Sequence, residues 1–251
     1  MARTLGLVLS ASRLLAALAL AASMFSMRVP VRAQTAVDVE LVLAVDASGS
    51  VSQERFLLQQ RGYVAAFRDP RLLQAIRSGA ARSIAVTMTQ WTGPAMQIQV
   101  APWAVISDEA SMLAFADAIE KAPRQLFGGG TSISGAIDQG VMLLSQSPYK
   151  SQRRTIDISG DGPNSSGRSV IRARDEAVAQ GIGINGLPIL SIDRRLDHYY
   201  YSYVIGGPGA FMIPAANYES FAEAIVKKLI LEIAAIPPPA GSWGAVLARS
   251  R

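Results

Sequence analysis

The sequence predicts an α/β fold of three layers, in which helices cover both faces of a mostly parallel sheet. Short apolar runs, such as residues 41–45, are typical of strands buried on both faces. Longer segments with apolar residues at helical spacing alternate with these runs along the chain. Strands that alternate with amphipathic helices form doubly wound sheets with right-handed crossovers. We therefore predict one domain over residues 34–236, followed by a flexible tail over residues 237–251.

The first 33 residues differ in kind from the rest of the chain. Arg3 and Arg13 precede an apolar segment over residues 14–25, and Val31-Arg32-Ala33 is similar to a signal-peptide cleavage site. An apolar segment of about a dozen residues is shorter than the ~20 residues that span a bilayer. We expect residues 1–33 to be a secretory signal peptide, so the mature protein would be secreted or periplasmic with no stable membrane span. An uncleaved anchor is the alternative.

The charge and the cysteine content exclude several classes of function. The chain has 24 basic and 19 acidic residues, and residues 1–33 hold four of the basic ones and none of the acidic ones. The remaining 20 basic and 19 acidic residues give a net charge of +1, so we expect no nucleic-acid partner. The chain has no cysteine, which excludes disulfides, thiolate zinc sites and iron–sulfur clusters.

In the first half of the domain, the strand over residues 41–45 leads into a helix. This helix begins near Ser52, and the Asp69-Pro70 pair predicts its end because proline disfavours helix in the residue before it. Residues 83–89 and 96–100 are predicted strands separated by a short Gly-Pro turn. So short a connection indicates an antiparallel hairpin at the sheet edge.

In the second half, helices and strands continue to alternate. The predicted helices are one capped by Ser107, one that opens near Ser132, one that ends at Gly181 and one capped by Asn217. The predicted strands are residues 155–159 and 182–187. Asp157 places a charge inside the first of these strands and needs a partner, which Arg153 or Arg154 could supply only if the fold brings them round to it.

Polar side chains directly follow the first predicted strand. Asp46, Ser48 and Ser50 alternate on the loop between this strand and its helix. In open α/β sheets, ligands bind at the carboxyl ends of the strands. Three oxygen side chains there can converge on a hard cation such as Mg²⁺, which prefers oxygen ligands.

This Asp-x-Ser-x-Ser pattern resembles the metal-ion-dependent adhesion site of von Willebrand factor type A domains. The resemblance covers roughly residues 37–235 and implies a threonine and a second aspartate from later loops, which Thr131 and Asp161 supply in the family's order. It implies that Asp46, Ser48, Ser50, Thr131 and Asp161 hold one Mg²⁺ (or Mn²⁺ or Ca²⁺). A protein partner's acidic side chain would complete the coordination. Segments 37–50, 158–164 and 204–211 further resemble a bacterial von Willebrand A-like family of unknown function.

Other interpretations of the same residues stay open. The hydroxyls could cap loops while the aspartates accept backbone hydrogen bonds, which would make the chain a scaffold with a vestigial site. Ser48 and His198 could belong to a serine hydrolase, although the Gly-x-Ser-x-Gly elbow is missing. The glycines before Thr131 could form a phosphate loop, although the Gly-Lys-Ser/Thr ending is missing. Tyrosines between residues 199 and 203 could pack over the sheet edge or form a stacking surface. We favour an exported, non-catalytic module that binds a protein partner.

Overall fold

The structure is a computed structural model that describes residues 34–234. The predicted signal peptide (1–33) and the predicted tail (237–251) lie outside the described residues. The strands are β1 (Thr35–Ala36), β2 (Glu40–Asp46), β3 (Ile84–Trp91), β4 (Gln97–Ile106), β5 (Tyr149–Lys150), β6 (Arg154–Gly160) and β7 (Ile182–Pro188). The helices are α1 (Gln53–Ala66), α2 (Pro70–Arg77), α3 (Glu109–Lys121), α4 (Ile133–Ser145), α5 (Val170–Ala179), α6 (Leu196–Tyr199) and α7 (Phe221–Ile233). A π-helical turn, Tyr200–Val204, continues α6.

The main sheet confirms the predicted fold class. Five strands pair in the order β4-β3-β2-β6-β7, and β1 pairs with β5 in a separate two-stranded ladder. Strands β3, β2, β6 and β7 run parallel, and only β4 is antiparallel to its neighbour. The antiparallel strand lies at the sheet edge, as the short connection between the two predicted strands indicated. It extends six residues beyond the predicted strand end, to Ile106.

Two apolar layers bury the two faces of the sheet, as the alternation of side chains along β2 shows. Leu41, Leu43 and Val45 pack with α1, α2, α3 and α7, whereas Val42 and Ala44 pack with α4 and α5. Every residue of β2 is buried. The central strand is therefore covered on both sides, which explains its nearly continuous apolar sequence.

The first helix ends at Ala66, close to the predicted Asp69-Pro70 end, and Asp69 is extended as the following proline requires. Pro70 then occupies the first position of α2, where its missing N–H costs nothing. Two cap predictions are wrong. Asp108, not Ser107, caps α3, because its carboxylate accepts a hydrogen bond from Ser111 N while Ser111 Oγ accepts one from the backbone of Asp108. Asn217 caps the turn before α7, and the helix itself begins after Ser220.

The partner of Asp157, which the sequence left open, is a lysine rather than either nearby arginine. Asp157 is buried on β6, and Lys228 Nζ lies 2.6 Å from its Oδ1 atom. Lys228 is buried as well and lies 3.2 Å from Glu232 Oε2, one turn further along α7. Asn185 Nδ2 donates a hydrogen bond of 2.6 Å to Glu232 Oε1. The packing of α7 against the sheet thus supplies the cation that a buried carboxylate needs.

Both arginines cap helices instead. Arg153 donates hydrogen bonds to the carbonyl oxygens of Glu232 and Ile233 at the end of α7. Arg154 donates to the carbonyl of Gln180, directly after α5. Helix C-termini carry unpaired carbonyls and partial negative charge, so guanidinium groups are favourable there.

The two edges of the sheet are protected in different ways. At β4, Val86 pairs with Ala104 and Met88 with Ala101, so an irregularity in the ladder surrounds Pro102. At β7, isolated bridges from residues 206, 212 and 215 cover the outer edge. A bulge with proline on one edge and a covering loop on the other are known ways to stop strands from pairing between molecules.

None of the helices within residues 34–234 combines the length and apolar character that crossing a membrane requires.

Candidate metal centre

The candidate site lies at the carboxyl edge of the sheet, where β2 and β6 end side by side. Asp46 is the last residue of β2, and Asp161 directly follows β6. Because the two strands are parallel neighbours, their ends meet. The Asp161 N–H donates a 3.4 Å hydrogen bond to Asp46 Oδ2. Residues 115 positions apart in sequence are thus brought into direct contact.

Hydrogen bonds connect Asp46, through the two serines on the loop after β2, to Asp161. Ser48 N donates to Asp46 Oδ1 at 2.7 Å, which holds the first turn of the loop. The hydroxyls of Ser48 and Ser50 lie 3.2 Å apart. Ser50 Oγ donates to Asp161 Oδ1 at 2.5 Å. One continuous set of hydrogen bonds therefore joins the four residues.

Thr131 lies on a third loop that contacts both of the others. Gly49 N donates to Gly129 O at 3.3 Å, which joins this loop to the one after β2. Thr131 O accepts hydrogen bonds from Ser165 N and Ser166 N, in the segment that follows Asp161. A Cβ atom placed on Gly162 would lie 3.9 Å from Thr131 Oγ1. The structure thus brings together the loops that carry all five predicted ligands, while their binding of a metal stays a prediction.

The two carboxylates are buried and close enough to repel each other. Neither Asp46 nor Asp161 exposes surface to solvent. Burial, with a contribution from the charge of Asp161, raises the pKa of Asp46 from 3.8 to about 7. Ionising both aspartates therefore lowers the stability of the folded protein unless a positive charge compensates for them.

Two residues that the sequence analysis did not assign to the site partly supply this compensation. Tyr218 Oη donates a 2.8 Å hydrogen bond to Asp161 Oδ2. Burial and the charge of Asp161 raise the pKa of Tyr218, so this phenol stays a donor. Arg55 Nη1 lies 3.9 Å from Asp161 Oδ2 and donates to Ser50 O at 3.0 Å. Neither residue belongs to a sequence motif, and only the packing of α1 and α7 brings them here.

Arg124 fixes the loop after β2 through its guanidinium group. Its Nη2 atom donates to Ala47 O at 3.0 Å and Val51 O at 2.8 Å, and its Nε atom donates to Leu126 O at 2.8 Å. One guanidinium group therefore ties the Asp46 loop to the segment that leads to Thr131. Its five donors in a fixed plane suit such a role better than a lysine would.

The donor set fits a hard divalent cation. No group of three or more histidine, cysteine or acidic side chains suited to a metal occurs within residues 34–234. The site instead offers two carboxylates and three hydroxyls, all of them oxygen donors. A cation among them would offset the repulsion between Asp46 and Asp161 and the cost of burying both. Such oxygen-only sites are typical of Mg²⁺, Mn²⁺ and Ca²⁺.

The alternative functions find less support in the geometry. His198 Nε2 lies 4.0 Å from Asp197 Oδ1, and the Ser48 hydroxyl contacts Ser50 rather than an imidazole in the described part of the chain. The glycine loop follows helix α3 instead of a strand, so the strand–loop–helix order of a phosphate loop is absent from it. Among the tyrosines, Tyr200 is fully buried and Tyr199 Oη accepts a bond from Asn164 N, which favours packing.

Comparisons with solved structures show the same fold at low sequence identity. A von Willebrand factor type A protein from Catenulispora acidiphila is 14% identical, with a TM-score of 0.51 over 79% of this chain and 43% of that one. The pilus adhesin SpaC from Lactobacillus rhamnosus GG is 15% identical, with a TM-score of 0.53 over 78% and 31%. Proximal thread matrix protein 1 from the mussel byssus, with a zinc-occupied MIDAS motif, is 11% identical, with a TM-score of 0.53 over 77% and 45%.

This chain spans less than half the length of each of these three proteins. No curated protein matches it in sequence. The family model described as "Protein of unknown function (DUF1194)" matches residues 36–237, which is most of the chain. The protein therefore belongs to the DUF1194 family, a family of unknown function, and has the fold of a von Willebrand factor type A domain.

Proposed function

We propose that this protein is an exported, non-catalytic binding module that captures a protein partner through one divalent cation. Asp46, Ser48, Ser50, Thr131 and Asp161 would hold the ion, with Mg²⁺ as the first candidate and Mn²⁺ or Ca²⁺ as alternatives. The similar fold of a protein with a zinc-occupied MIDAS motif, and that of a pilus adhesin, support both parts of the proposal.

The observation that carries the proposal is the convergence of two buried carboxylates with hydroxyl-bearing loops. Asp46 and Asp161 lie without solvent exposure at the ends of neighbouring strands. Ser50 is an exposed residue, and its Oγ atom donates a hydrogen bond of 2.5 Å to Asp161 Oδ1. The set of candidate ligands therefore extends from the buried carboxylates to the surface of the molecule. A cation here could keep an open coordination position toward solvent, and an acidic side chain of a partner could occupy it.

Metal binding can be tested by calorimetric titration of Mg²⁺ or Mn²⁺ into the chelator-treated protein. We expect saturable binding by the wild type and its loss in Asp46→Ala. Asp117→Ala, which removes a half-exposed carboxylate that bonds Arg68, is the matched control and should bind like the wild type. Since the ion binds only the folded site, about 2.7 kcal/mol of stabilisation is expected at a hundredfold excess over the dissociation constant. No heat and no thermal shift in the wild type would indicate a scaffold with a vestigial site.

Partner capture can be tested by affinity purification from the exported fraction with immobilised protein. A partner should be retained with the metal and released by chelator, and Asp46→Ala should not retain it. Retention that is insensitive to chelator would contradict capture through the ion.

Export can be tested by N-terminal sequencing of the protein isolated from its native cells. A mature chain that begins after residue 33 in the extracellular or periplasmic fraction is expected. A chain that keeps residue 1 in the cytoplasmic fraction would contradict export.

A further inference from the structure

Two large apolar side chains are exposed beside the candidate metal site. The Phe127 side chain is 66% exposed and Met96 is 41% exposed. Single exposed apolar residues are common on protein surfaces and need no explanation. These two lie on the two segments that flank the glycine loop before Thr131, and we refer to them as the Phe127–Met96 shelf.

The shelf is attached to the same groups that form the candidate site. The Arg124 guanidinium lies 5.0 Å from the centre of the Phe127 ring and also bonds the Ala47 and Val51 carbonyls of the first site loop. On the other side, Met96 Sδ lies 3.6 Å from where a Cβ of Gly129 would be. The cation–π contact holds the exposed ring against a guanidinium that is itself anchored to the site loop.

The charges at the candidate site favour an acidic partner group. The two site carboxylates would balance the charge of one divalent cation, and Arg55 adds a positive charge 3.9 Å from Asp161. The Arg55 side chain is 37% exposed, so it is accessible from the surface. The candidate site is therefore suited to a carboxylate rather than to a cationic group.

We infer that the Phe127–Met96 shelf binds a large apolar side chain close in sequence to the acidic residue that the partner presents to the ion. This inference rests on the proposed metal-dependent capture. In an extended segment, side chains two residues apart point to the same side at a separation of about 6–7 Å. The Phe127 ring lies on the Arg124 guanidinium, which in turn donates to the Ala47 carbonyl of the first site loop, between the candidate ligands Asp46 and Ser48.

Two capped tripeptides test the inference on the Mn²⁺-loaded protein. One has the sequence aspartate-glycine-phenylalanine and the other aspartate-glycine-glycine, and their dissociation constants are measured by nuclear magnetic resonance titration. We expect the phenylalanine peptide to bind about tenfold more tightly, because burying part of its aromatic ring on the shelf contributes about that factor to the affinity. Phe127→Ala should reduce this ratio to about twofold or less, and Met96→Ala should reduce it in part.

Leu113→Ala is the matched control, since Leu113 is a 38% exposed apolar residue on α3 away from the glycine loop. It should keep the wild-type ratio. Equal affinities of the two peptides for the wild type, or a tenfold ratio that survives Phe127→Ala, would overturn the inference. Failure of both peptides to bind the metal-loaded protein would overturn it as well.

The outcomes separate this inference from the proposed function. If Mn²⁺ does not bind, both fail, and the metal titration alone shows it. If Mn²⁺ and both peptides bind without preference, only the shelf inference fails. Sedimentation of the wild type and Phe127→Ala tests the other occupant, because self-association that depends on Phe127 would mean that a second copy covers the shelf.

Discussion

Replacing Asp46 with asparagine should change how the stability of the metal-free protein depends on pH. Burial and the nearby Asp161 raise the pKa of Asp46 to about 7 in the folded protein, from 3.8 for an ordinary aspartate. The folded state therefore binds more protons than the unfolded state between these two values. Linkage then requires that this group make the protein less stable as pH rises from about 4 to about 7.

The size of the effect follows from the two pKa values. A shift from 3.8 to about 7 corresponds to about 4 kcal/mol between the protonated and ionised extremes. Over the practical range from pH 5 to pH 8, the linkage relation gives about 2.5 kcal/mol. Asp46→Asn should become more stable relative to the wild type by this amount as pH rises. Its backbone contact from Ser48 can persist, because the amide oxygen still accepts a hydrogen bond.

Urea denaturation in chelator at several pH values measures the difference. Ser48→Ala is the matched control, because it alters the same loop but keeps the titrating carboxyl. Its stability should still fall as pH rises, and by more than in the wild type, because it removes a hydrogen bond that lowers the pKa of Asp46. Added Mg²⁺ should bind more tightly as pH rises through 7, since the proton on Asp46 must leave first. Parallel stability curves for the wild type and Asp46→Asn from pH 5 to pH 8 would refute the reasoning.

Other changes test the surrounding structure. Lys228→Met should cost about 3–5 kcal/mol of unfolding free energy, because it leaves buried carboxylates without a cation. The neighbouring Lys227→Met, at an exposed position, should have little effect in the same urea titration. Tyr218→Phe should weaken metal affinity about tenfold in calorimetry, since it removes the hydrogen bond that orients the second site aspartate; unchanged affinity would contradict that role. Gly62→Ala should lower the melting temperature despite alanine's better helix propensity, because its Cβ would lie 2.6 Å from Phe221 Cδ1; a stabilised variant would show that α1 and α7 can separate freely.

The fold could be predicted because its signals are local. Uninterrupted apolar strands and amphipathic helices each show in a short window of sequence, and their alternation indicates a parallel sheet. Asp46, Ser48, Ser50 and Asp161 follow strands whose ends meet at one edge, whereas Thr131 follows a helix and was indicated only by the resemblance to von Willebrand factor type A domains. Pro70 predicted the end of α1 correctly, but the second helix that it opens was not predicted, because proline suits the first turn of a helix as well as the position after one.

The surroundings of the site could not be predicted in the same way. Arg55, Arg124 and Tyr218 reach it through helix packing and a loop, and nothing in their sequence neighbourhood distinguishes them from surface or core residues. Lys228 lies 71 positions from Asp157, whereas Arg153 and Arg154 lie only a few residues away. The sequence offered only nearby candidates and left the partner of Asp157 open, because the packing of α7 against β6 brings Lys228 to it and no local pattern shows that packing.

The irregular pairing around Pro102 restricts how other chains can join this molecule. Proline has no amide hydrogen to offer, and the bend in β4 interrupts the row of groups that a docking strand would need. Continuous extension of the sheet by a neighbouring polypeptide is therefore disfavoured along that side. Under the proposed function, association would instead use the loops at the strand ends, where side chains rather than backbone ladders decide which molecule is accepted.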